Sequence, residues 1–303
     1  MFKRFFIFLT ALTTFASSVL AKDIVIETAR GEVTLAEAPS KVAVFDTGSL
    51  DILQALGVRV AGAPDVGKLL PYLKPTLDNA QNVGTIFEPN LEALNALQPD
   101  LIIVGTRTAK KLEEVSAIAK SIDMTDNGDK LIEDSLHRIA QYGKLFNKEA
   151  EADRLRTEIQ TLFQQTQKAV RGKGNGLIIL VNGGKISAFG SGYRLSWIHQ
   201  DLGVPMADPS IKTAGHGQPI SFEFIQKLNP DWLFVLDRIA AVGSEGKSAK
   251  EVLDNELVHQ TKAWKNNHIV YLSSASYLAS GGYEQIKMDL NAIKTAFEDN
   301  HLR

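Results

Sequence analysis

The sequence predicts an α/β protein made of two Rossmann-like lobes, each with a central, mostly parallel sheet, joined by one long α-helix. Three observations predict this fold: a strand-helix-strand start, a long helical stretch near the middle, and a segment that recurs once in each half. The length of 303 residues agrees with about two domains. We expect the first lobe at 22–144, the linking helix at 145–172 and the second lobe at 173–303.

The first lobe starts with alternating strand and helix signals. The run KVAVFD at 41–46 is short and apolar, as a buried strand is. SLDILQALG at 49–57 has helical apolar spacing, with Ser49 as a candidate N-cap and Gly57 as a stop signal. VRVAGAP then returns to a strand pattern. This order predicts a parallel sheet, because parallel strands need a crossover connection.

One segment occurs twice, at a constant offset of 131 residues. NLEALNALQPDLIIVGTR at 90–107 and SFEFIQKLNPDWLFVLDR at 221–238 share six identities in eighteen positions. In each copy a helix with an N-cap, Asn90 or Ser221, is expected to end before a proline. A nearly continuous apolar strand follows, and an arginine comes after its carboxyl end, where open α/β sheets bind ligands. The repeat therefore predicts equivalent positions in the two lobes.

The middle and the second half complete the pattern. The stretch EAEADRLRTEIQTLFQQTQKAVRG at 149–172 predicts a long helix, because no glycine or proline interrupts residues 145–170. Its residues Leu155, Ile159, Leu162 and Phe163 form one apolar stripe. LIILVNGGKISAFG then predicts strands, SWIHQDLGV a helix ending at Gly203, HIVYLSS a late strand, and YEQIKMDLNAIKTAFEDN a closing helix.

The first 21 residues predict a signal peptide. Lys3 and Arg4 precede an apolar run that ends in Val19-Leu20-Ala21, and we expect cleavage after Ala21. Loss of Lys3 and Arg4 from 33 basic residues leaves 31 against 35 acidic ones, a net charge of about −4. We expect no nucleic-acid binding, since no segment concentrates basic residues. The chain has no cysteine, hence no disulfide, no thiol ligand and no lipidation cysteine, which predicts a soluble periplasmic protein.

Four stretches carry a resemblance to a known family: PNLEALNALQPDLIIVGTR, SAFGSGYRLSWIHQDLGV, GHGQPISFEFIQKLNPDWLFVLDR and YLSSASYLASGG. With them the chain, from about 24 to 303, resembles the periplasmic siderophore-binding proteins of ABC importers, especially the catecholate binders of the enterobactin and vibriobactin kind. The resemblance implies a class III periplasmic binding protein fold with ligand bound between the lobes. It also implies that Glu92 and Glu223 dock on an inner-membrane ABC permease, which works with its ATPase.

The expected cargo is an Fe(III)-catecholate siderophore, and we expect no intrinsic cofactor and a monomer. Arginine suits an anionic aromatic ligand, because it is always charged, offers a planar fork of donors and stacks on rings. By resemblance, Arg107, Arg194 and Arg238 form a basic triad around the catecholate oxygens. His216 and Tyr277, both in loops rich in small residues, resemble the pair that fills the two iron sites left open by a tetradentate bis-catecholate.

Other functions stay open at this point. Haem or a corrinoid is an alternative cargo, since His216 and Tyr277 could ligate haem iron, although three arginines favour a more anionic ligand. A bare zinc or manganese receptor would need several converging histidines or carboxylates. The chain lacks a G-x-S-x-G elbow, a P-loop and an HExxH motif, which favours a binding protein over an enzyme. Hydrolysis of an ester siderophore is the remaining enzymatic alternative.

Overall fold

The computed structural model of the chain describes residues 23–126, 130–192, 194–212, 215 and 217–299. The predicted signal peptide, residues 1–21, lies outside them. The strands are β1 (Ile24–Thr28), β2 (Gly31–Leu35), β3 (Val42–Val44), β4 (Gly62–Ala63), β5 (Gln81–Asn82), β6 (Leu101–Val104), β7 (Ser121–Asp123), β8 (Gly176–Asn182), β9 (Lys185–Phe189), β10 (Gln218–Ile220), β11 (Trp232–Asp237) and β12 (Ile269–Tyr271).

The helices alternate with these strands through most of the chain. They are α1 (Thr47–Ala55), α2 (Lys74–Leu77), α3 (Leu91–Leu97), α4 (Leu112–Ser116), α5 (Leu131–Leu145), α6 (Glu149–Val170), α7 (Trp197–Gln200), α8 (Phe222–Leu228), α9 (Arg238–Val242), α10 (Ala249–Leu253), α11 (Glu256–His259), α12 (Lys262–Lys265), α13 (Ala275–Leu278) and α14 (Tyr283–Asp299). Within the part of the chain that is described, no helix is both long and apolar enough to cross a membrane.

Over the described residues, the strands form the hairpin β1–β2 and two five-stranded sheets. The first sheet has the order β5-β4-β3-β6-β7 and is parallel throughout. The second has the order β10-β9-β8-β11-β12, in which β8, β11 and β12 are parallel and β9 is antiparallel to both its neighbours. This confirms the predicted α/β class with mostly parallel sheets. We call the parts of the chain that carry the first and second sheets the first and second lobes.

The repeated segments occupy the same place in the two sheets. Strands β6 and β11 both lie fourth in the order, next to β3 and β8 respectively. In each copy an aspartate follows the proline and connects the start of its strand to the residues just before the adjacent strand of the sheet. Asp100 accepts hydrogen bonds from the Ser40 and Lys41 N–H groups, and Asp231 accepts one from the Asn175 N–H. The repeat thus has a structural reason: it joins the central strands of each sheet.

The helices of the repeat begin and end as the sequence predicts. The side chains of Asn90 and Ser221 accept hydrogen bonds from backbone N–H groups in the first turns of α3 and α8. Both helices end at a left-handed residue, Gln98 with φ 51° and Asn229 with φ 49°, directly before the proline. The cap predicted for α1 is wrong. That helix begins at Thr47, and the side chain of Asp46 caps it by accepting the N–H of Ser49.

The long helix α6 spans Glu149–Val170, inside the segment 145–172 that was expected to link the lobes. Leu155 and Ile159 of the predicted stripe are buried, and Leu162 and Phe163 are partly buried against the same core. Helix α6 packs on α5 and on α14. The closing helix α14 also contacts α1, so it joins both lobes although it is the last described helix. One continuous apolar cluster therefore runs through both lobes and the two long helices.

Residues 277–282, which we call the bridge, attach the second lobe to the first. The bridge leads into α14, and the N-terminus of that helix is capped by Asp51 on α1. Asp51 accepts hydrogen bonds from the N–H groups of Glu284 at 2.8 Å and Gln285 at 3.0 Å, and from the hydroxyl of Tyr72 at 2.9 Å. A carboxylate at this position satisfies unpaired helix N–H groups and favours the helix dipole. The cap comes from the other lobe.

Glycines in the bridge allow this close approach. A Cβ on Gly281 would lie 2.0 Å from Nη2 of Arg138, and one on Gly282 would lie 2.3 Å from Oδ2 of Asp51. Arg138 is buried, donates from Nη2 to the Ser280 carbonyl at 3.1 Å and pairs with Asp46. Further along the bridge, Gly281 accepts a hydrogen bond from the buried hydroxyl of Ser135 through its carbonyl. The small residues of YLASGG therefore have a packing function.

We predict that Gly281→Ala destabilises the protein more than Gly57→Ala. Both glycines have left-handed φ angles, +74° and +67°, but a Cβ on Gly57 would meet nothing within 4 Å. The control should cost about 1–2 kcal/mol for the strained backbone, and Gly281→Ala about 1–3 kcal/mol more for overpacking against Arg138. Urea unfolding of the two variants measures this difference. Equal losses would contradict close packing of the bridge.

We also predict that Asp51→Asn has a pH-dependent cost. Burial raises the pKa of Asp51 from 3.8 to about 6, against the lowering effect of the Glu284 and Gln285 N–H groups. The folded protein thus binds this proton more tightly than the unfolded chain. The resulting stability is fully present below pH 3.8 and is lost as the pH rises through about 6.

Since the variant does not titrate there, its deficit should be larger at pH 4 than at pH 7.5, by up to about 3 kcal/mol. The check is the free energy of unfolding of both proteins at several pH values. Burial also raises the pKa of Asp289 to about 6, but Asp289 is present in both proteins, so its contribution cancels in the difference between their free energies of unfolding. A deficit that stays constant or grows with pH would contradict the expected burial.

Candidate functional site

The topology places one crevice in each lobe. In the first sheet the connections reverse direction between β3 and β6, and in the second between β8 and β11. Ligands of open α/β sheets bind outside the carboxyl ends of the strands at such points. In the first sheet, Gly105 after β6 lies so close to Asp46 after β3 that a Cβ would be 2.4 Å from Oδ1. Both arginines of the repeat follow strands at these reversal points.

Arg107 follows β6 and is partly buried. Its Nη1 donates a hydrogen bond to the Leu278 carbonyl at 2.9 Å, and its Nη2 donates to the Tyr277 carbonyl. Both acceptors belong to α13 in the second lobe. Arg107 therefore reaches across the space between the lobes and helps to hold the bridge. Sequence reasoning gave this side chain a ligand role and did not anticipate its contacts with the protein.

Arg238 directly follows β11 and opens α9, which Asp237 caps through its side chain. Its Nε donates to the hydroxyl of Tyr277 at 3.1 Å, and its Nη1 donates to Oδ1 of Asn182 at 3.3 Å. The side chain is partly exposed. Asn182 ends β8, so this contact spans the reversal point of the second sheet.

Tyr277 lies between the two arginines. Its ring centroid is 5.8 Å from Cζ of Arg107 and 5.6 Å from Cζ of Arg238, within the range of cation–π contacts. The prediction that Tyr277 lies in a loop is wrong, because it belongs to the short helix α13, and its side chain is buried, with 7 % of its surface exposed. The structure thus brings together three of the five predicted ligand-binding residues, one from the first lobe and two from the second. The result is a positively charged, aromatic corner at the junction of the lobes.

The other two predicted residues stay predictions. Arg194 opens the 3₁₀ turn Arg194–Ser196, just before α7. His216 lies outside the described residues. Among the residues that are described, no group of three or more histidine, aspartate or glutamate side chains could hold a metal ion.

Glu92 and Glu223 occupy equivalent positions on the surface. Each is exposed in the first turn of its helix, α3 or α8, at the carboxyl edge of its sheet. The Ser221 hydroxyl lowers the pKa of Glu223, which keeps that carboxylate charged. A matched pair of exposed carboxylates, one on each lobe, can contact a partner that spans both lobes. Helix-end electrostatics alone would favour the same placement.

Sequence reasoning missed two groups that shape this region. Asn182 was covered by the strand pattern of LIILVNGG, although its place at a strand end before two glycines is the same signal that singled out the arginines. Asp51 lay inside a predicted helix, and no local pattern indicated a partner more than 230 residues away. The Asp51 contact depends on how the two lobes meet, and the contact of Asn182 with Arg238 depends on the pairing of β8 with β11, so no local pattern predicts either one.

Comparison with known proteins gives a consistent result. A family model described as Periplasmic binding protein matches residues 42–275. The petrobactin-binding protein YclQ of Bacillus subtilis is 40 % identical over 266 residues, which are 86 % of this chain and 83 % of YclQ. The ferric-anguibactin-binding protein FatB of Vibrio anguillarum is 31 % identical over 288 residues, covering 92 % of this chain and 89 % of FatB.

Solved structures agree with these sequence relationships. The crystal structure of YclQ superposes with a TM-score of 0.85 at 36 % identity and covers 91 % of this chain and 99 % of its own. The catecholate-siderophore binding protein VctP of Vibrio cholerae superposes with a TM-score of 0.84 at 29 % identity, covering 90 % of this chain and all of VctP. The fold is thus shared over nearly the whole described chain.

Proposed function

The chain belongs to the periplasmic binding protein family, and on that premise we propose that it captures a ferric catecholate siderophore between its lobes and delivers it to an ABC permease for iron uptake. The observation that carries the proposal is the convergence of Arg107, Tyr277 and Arg238 from both lobes. The names of the relatives support the cargo class: YclQ is a petrobactin-binding protein, FatB a ferric-anguibactin-binding protein and VctP a catecholate-siderophore binding protein.

The chemistry of the corner fits such a cargo. A ferric tris-catecholate carries a net charge of −3 and presents aromatic rings, so it needs cations, hydrogen-bond donors and flat surfaces. Guanidinium groups provide all three. Arg238 is held by two neutral acceptors, so its charge is not cancelled by them. Arg194 would complete the basic triad from the 3₁₀ turn before α7.

Iron ligation is a separate part of the proposal. Tyr277 and His216 would fill the two coordination positions that a tetradentate bis-catecholate leaves open. The Tyr277 hydroxyl accepts a hydrogen bond from Nε of Arg238, and this bond stabilises negative charge on the phenolic oxygen. A hexadentate ligand leaves iron no vacancy, so neither side chain would touch the metal in that complex.

In this proposal the protein is a periplasmic receptor and not an enzyme, and it works as a monomer without an intrinsic cofactor. Glu92 and Glu223 contact the permease, one on each side of the ligand cleft. The division into a first lobe at 22–144, a linking helix at 145–172 and a second lobe at 173–303 stays part of the proposal, with α14 bridging the two lobes.

The central test is a fluorescence titration of the mature protein. Its tryptophans, which are all in the second lobe, should be quenched saturably by a ferric tris-catecholate and a ferric bis-catecholate, and not by a ferric hydroxamate or haemin. Arg238→Ala should weaken both catecholates about tenfold or more, because a charge-assisted hydrogen bond is lost. Quenching by haemin alone would favour a haem receptor and contradict the proposal.

The same titration tests iron ligation. His216→Ala should weaken binding of the bis-catecholate and leave the tris-catecholate within about threefold, since only the tetradentate complex has vacant iron positions. Tyr277→Phe also removes the acceptor of Nε of Arg238, so it should weaken both ligands, and the bis-catecholate more than the tris-catecholate. Equal weakening of both ligands would show that these residues act on the organic part of the ligand or on the protein itself.

The docking role of the two glutamates is tested by transport. Glu92→Ala and Glu223→Ala should keep the affinity for ligand but reduce uptake of iron-labelled catecholate into cells that lack the wild-type gene. The double variant should lose more than either single one. Glu113→Ala is the matched control, because Glu113 is also exposed in the first turn of a first-lobe helix, α4. Uptake that falls equally in the control would contradict specific docking.

A further inference from the structure

Asn182 accepts a hydrogen bond from Arg238, one of the arginines proposed to bind the ligand. Strands β8 and β11 are parallel with Val181 paired to Asp237, and the next residues along are Asn182 and Arg238. The register thus brings these two side chains together at the carboxyl edge of the sheet. The 3.3 Å bond from Nη1 of Arg238 to Oδ1 of Asn182 follows from this placement.

Two anchors fix the plane of the Arg238 guanidinium. Asn182 accepts from Nη1, and the hydroxyl of Tyr277 accepts from Nε, so two different nitrogens of the group are held. Asn182 is itself rigid, because it ends β8 and is paired with Lys185 of β9 across a tight turn. An arginine side chain has many rotamers in solution. Holding its guanidinium in one orientation before binding reduces the conformational entropy that is lost when an anion binds.

The chemical type of the anchor also matters. Four other described arginines pair with carboxylates: Arg30 with Asp123, Arg138 with Asp46, Arg154 with Glu151 and Arg156 with Asp153. Within the described part of the chain, Arg238 forms no ion pair, and the neighbouring Asp237 instead accepts the N–H groups of Ala240 and Ala249. A carboxylate in place of Asn182 could hold the guanidinium equally well, but it would cancel the positive charge.

We propose that Asn182 is a positioning residue that orients Arg238 toward the anionic cargo while leaving its charge uncompensated, and so makes the cleft selective for negatively charged ligands. This inference rests on the proposed function for the identity of the cargo. The orientation of Arg238 by Asn182 does not depend on it.

The test compares two substitutions with opposite chemistry. Asn182→Asp keeps the shape and the acceptor and adds a negative charge, whereas Asn182→Leu keeps the approximate size and removes the acceptor. For a ferric tris-catecholate at low salt, Asn182→Asp should weaken binding about tenfold or more, and added salt should narrow the gap to wild type. Asn182→Leu should weaken binding about three- to tenfold, with the salt dependence of wild type.

Asn266→Asp is the matched control for the added charge. Asn266 is exposed at the end of α12 in the same lobe, just before β12 begins, so it lies at the opposite edge of the sheet. Its affinity for the ligand should stay within about twofold of wild type. Affinity of Asn182→Asp equal to that of wild type or of this control would overturn the inference and leave the proposed function standing.

A second measurement needs no ligand. In nitrogen-15 labelled protein at low temperature, the Nη1–H signal of Arg238, assigned with Arg238→Lys, should exchange with water several-fold faster in Asn182→Leu than in wild type, because Nη1 has lost its acceptor. If wild type binds no ferric catecholate, the proposed function fails, and this exchange rate alone decides the positioning role. Faster exchange in the variant supports it, and unchanged exchange overturns it.

Discussion

The cap that Asp51 places on α14 is the contact on which the arrangement of the lobes depends. A helix N-terminus has unpaired N–H groups, and those of α14 are satisfied by a carboxylate from the other lobe. Because α14 also packs on α6, the cap fixes a helix that both lobes share. Any rotation of one lobe against the other must break these bonds or bend α14. The lobes are therefore connected by two long helices, α6 and α14, that pack on each other, and not by a single flexible hinge.

The same connection between the lobes sets the geometry of the candidate site. Tyr277 begins the bridge, so the docking of Gly281 and Gly282 on Arg138 and Asp51 also determines where its ring lies. Arg107 then fastens the other end by donating to the Tyr277 and Leu278 carbonyls. Ligand site and lobe contact thus consist largely of the same residues. A cargo that draws Arg107 toward itself must replace hydrogen bonds that now hold the lobes together.

Sequence alone predicted the class of fold and the strand-end positions of Arg107 and Arg238, because both follow from local patterns. Apolar runs, caps such as Asn90 and Ser221, and the proline that ends α3 and α8 act within a few residues, so periodicity and propensity indicate them. The topology rule for open sheets then placed Arg107 and Arg238 at ligand-binding edges. What the sequence could not give were the partners from the other lobe, such as Asp51 for Glu284 or the Leu278 carbonyl for Arg107. These contacts depend on the relative position of the lobes, which no local pattern encodes.

The repeated segment folds the same way in both lobes, but its final arginine makes different contacts in each. The helix, the left-handed residue, the proline, the aspartate and the strand are conserved in form because each lobe must join its central strands in the same manner. The final arginines then differ in what they contact. Arg107 donates to backbone carbonyls of the opposite lobe, while Arg238 is held by Asn182 and Tyr277 within its own lobe. Equivalent positions at two strand ends thus provide one side chain that connects the lobes and one that, in the proposed function, contacts the ligand. The two copies of the repeat therefore differ in the contacts of their arginines and not in their backbone structure.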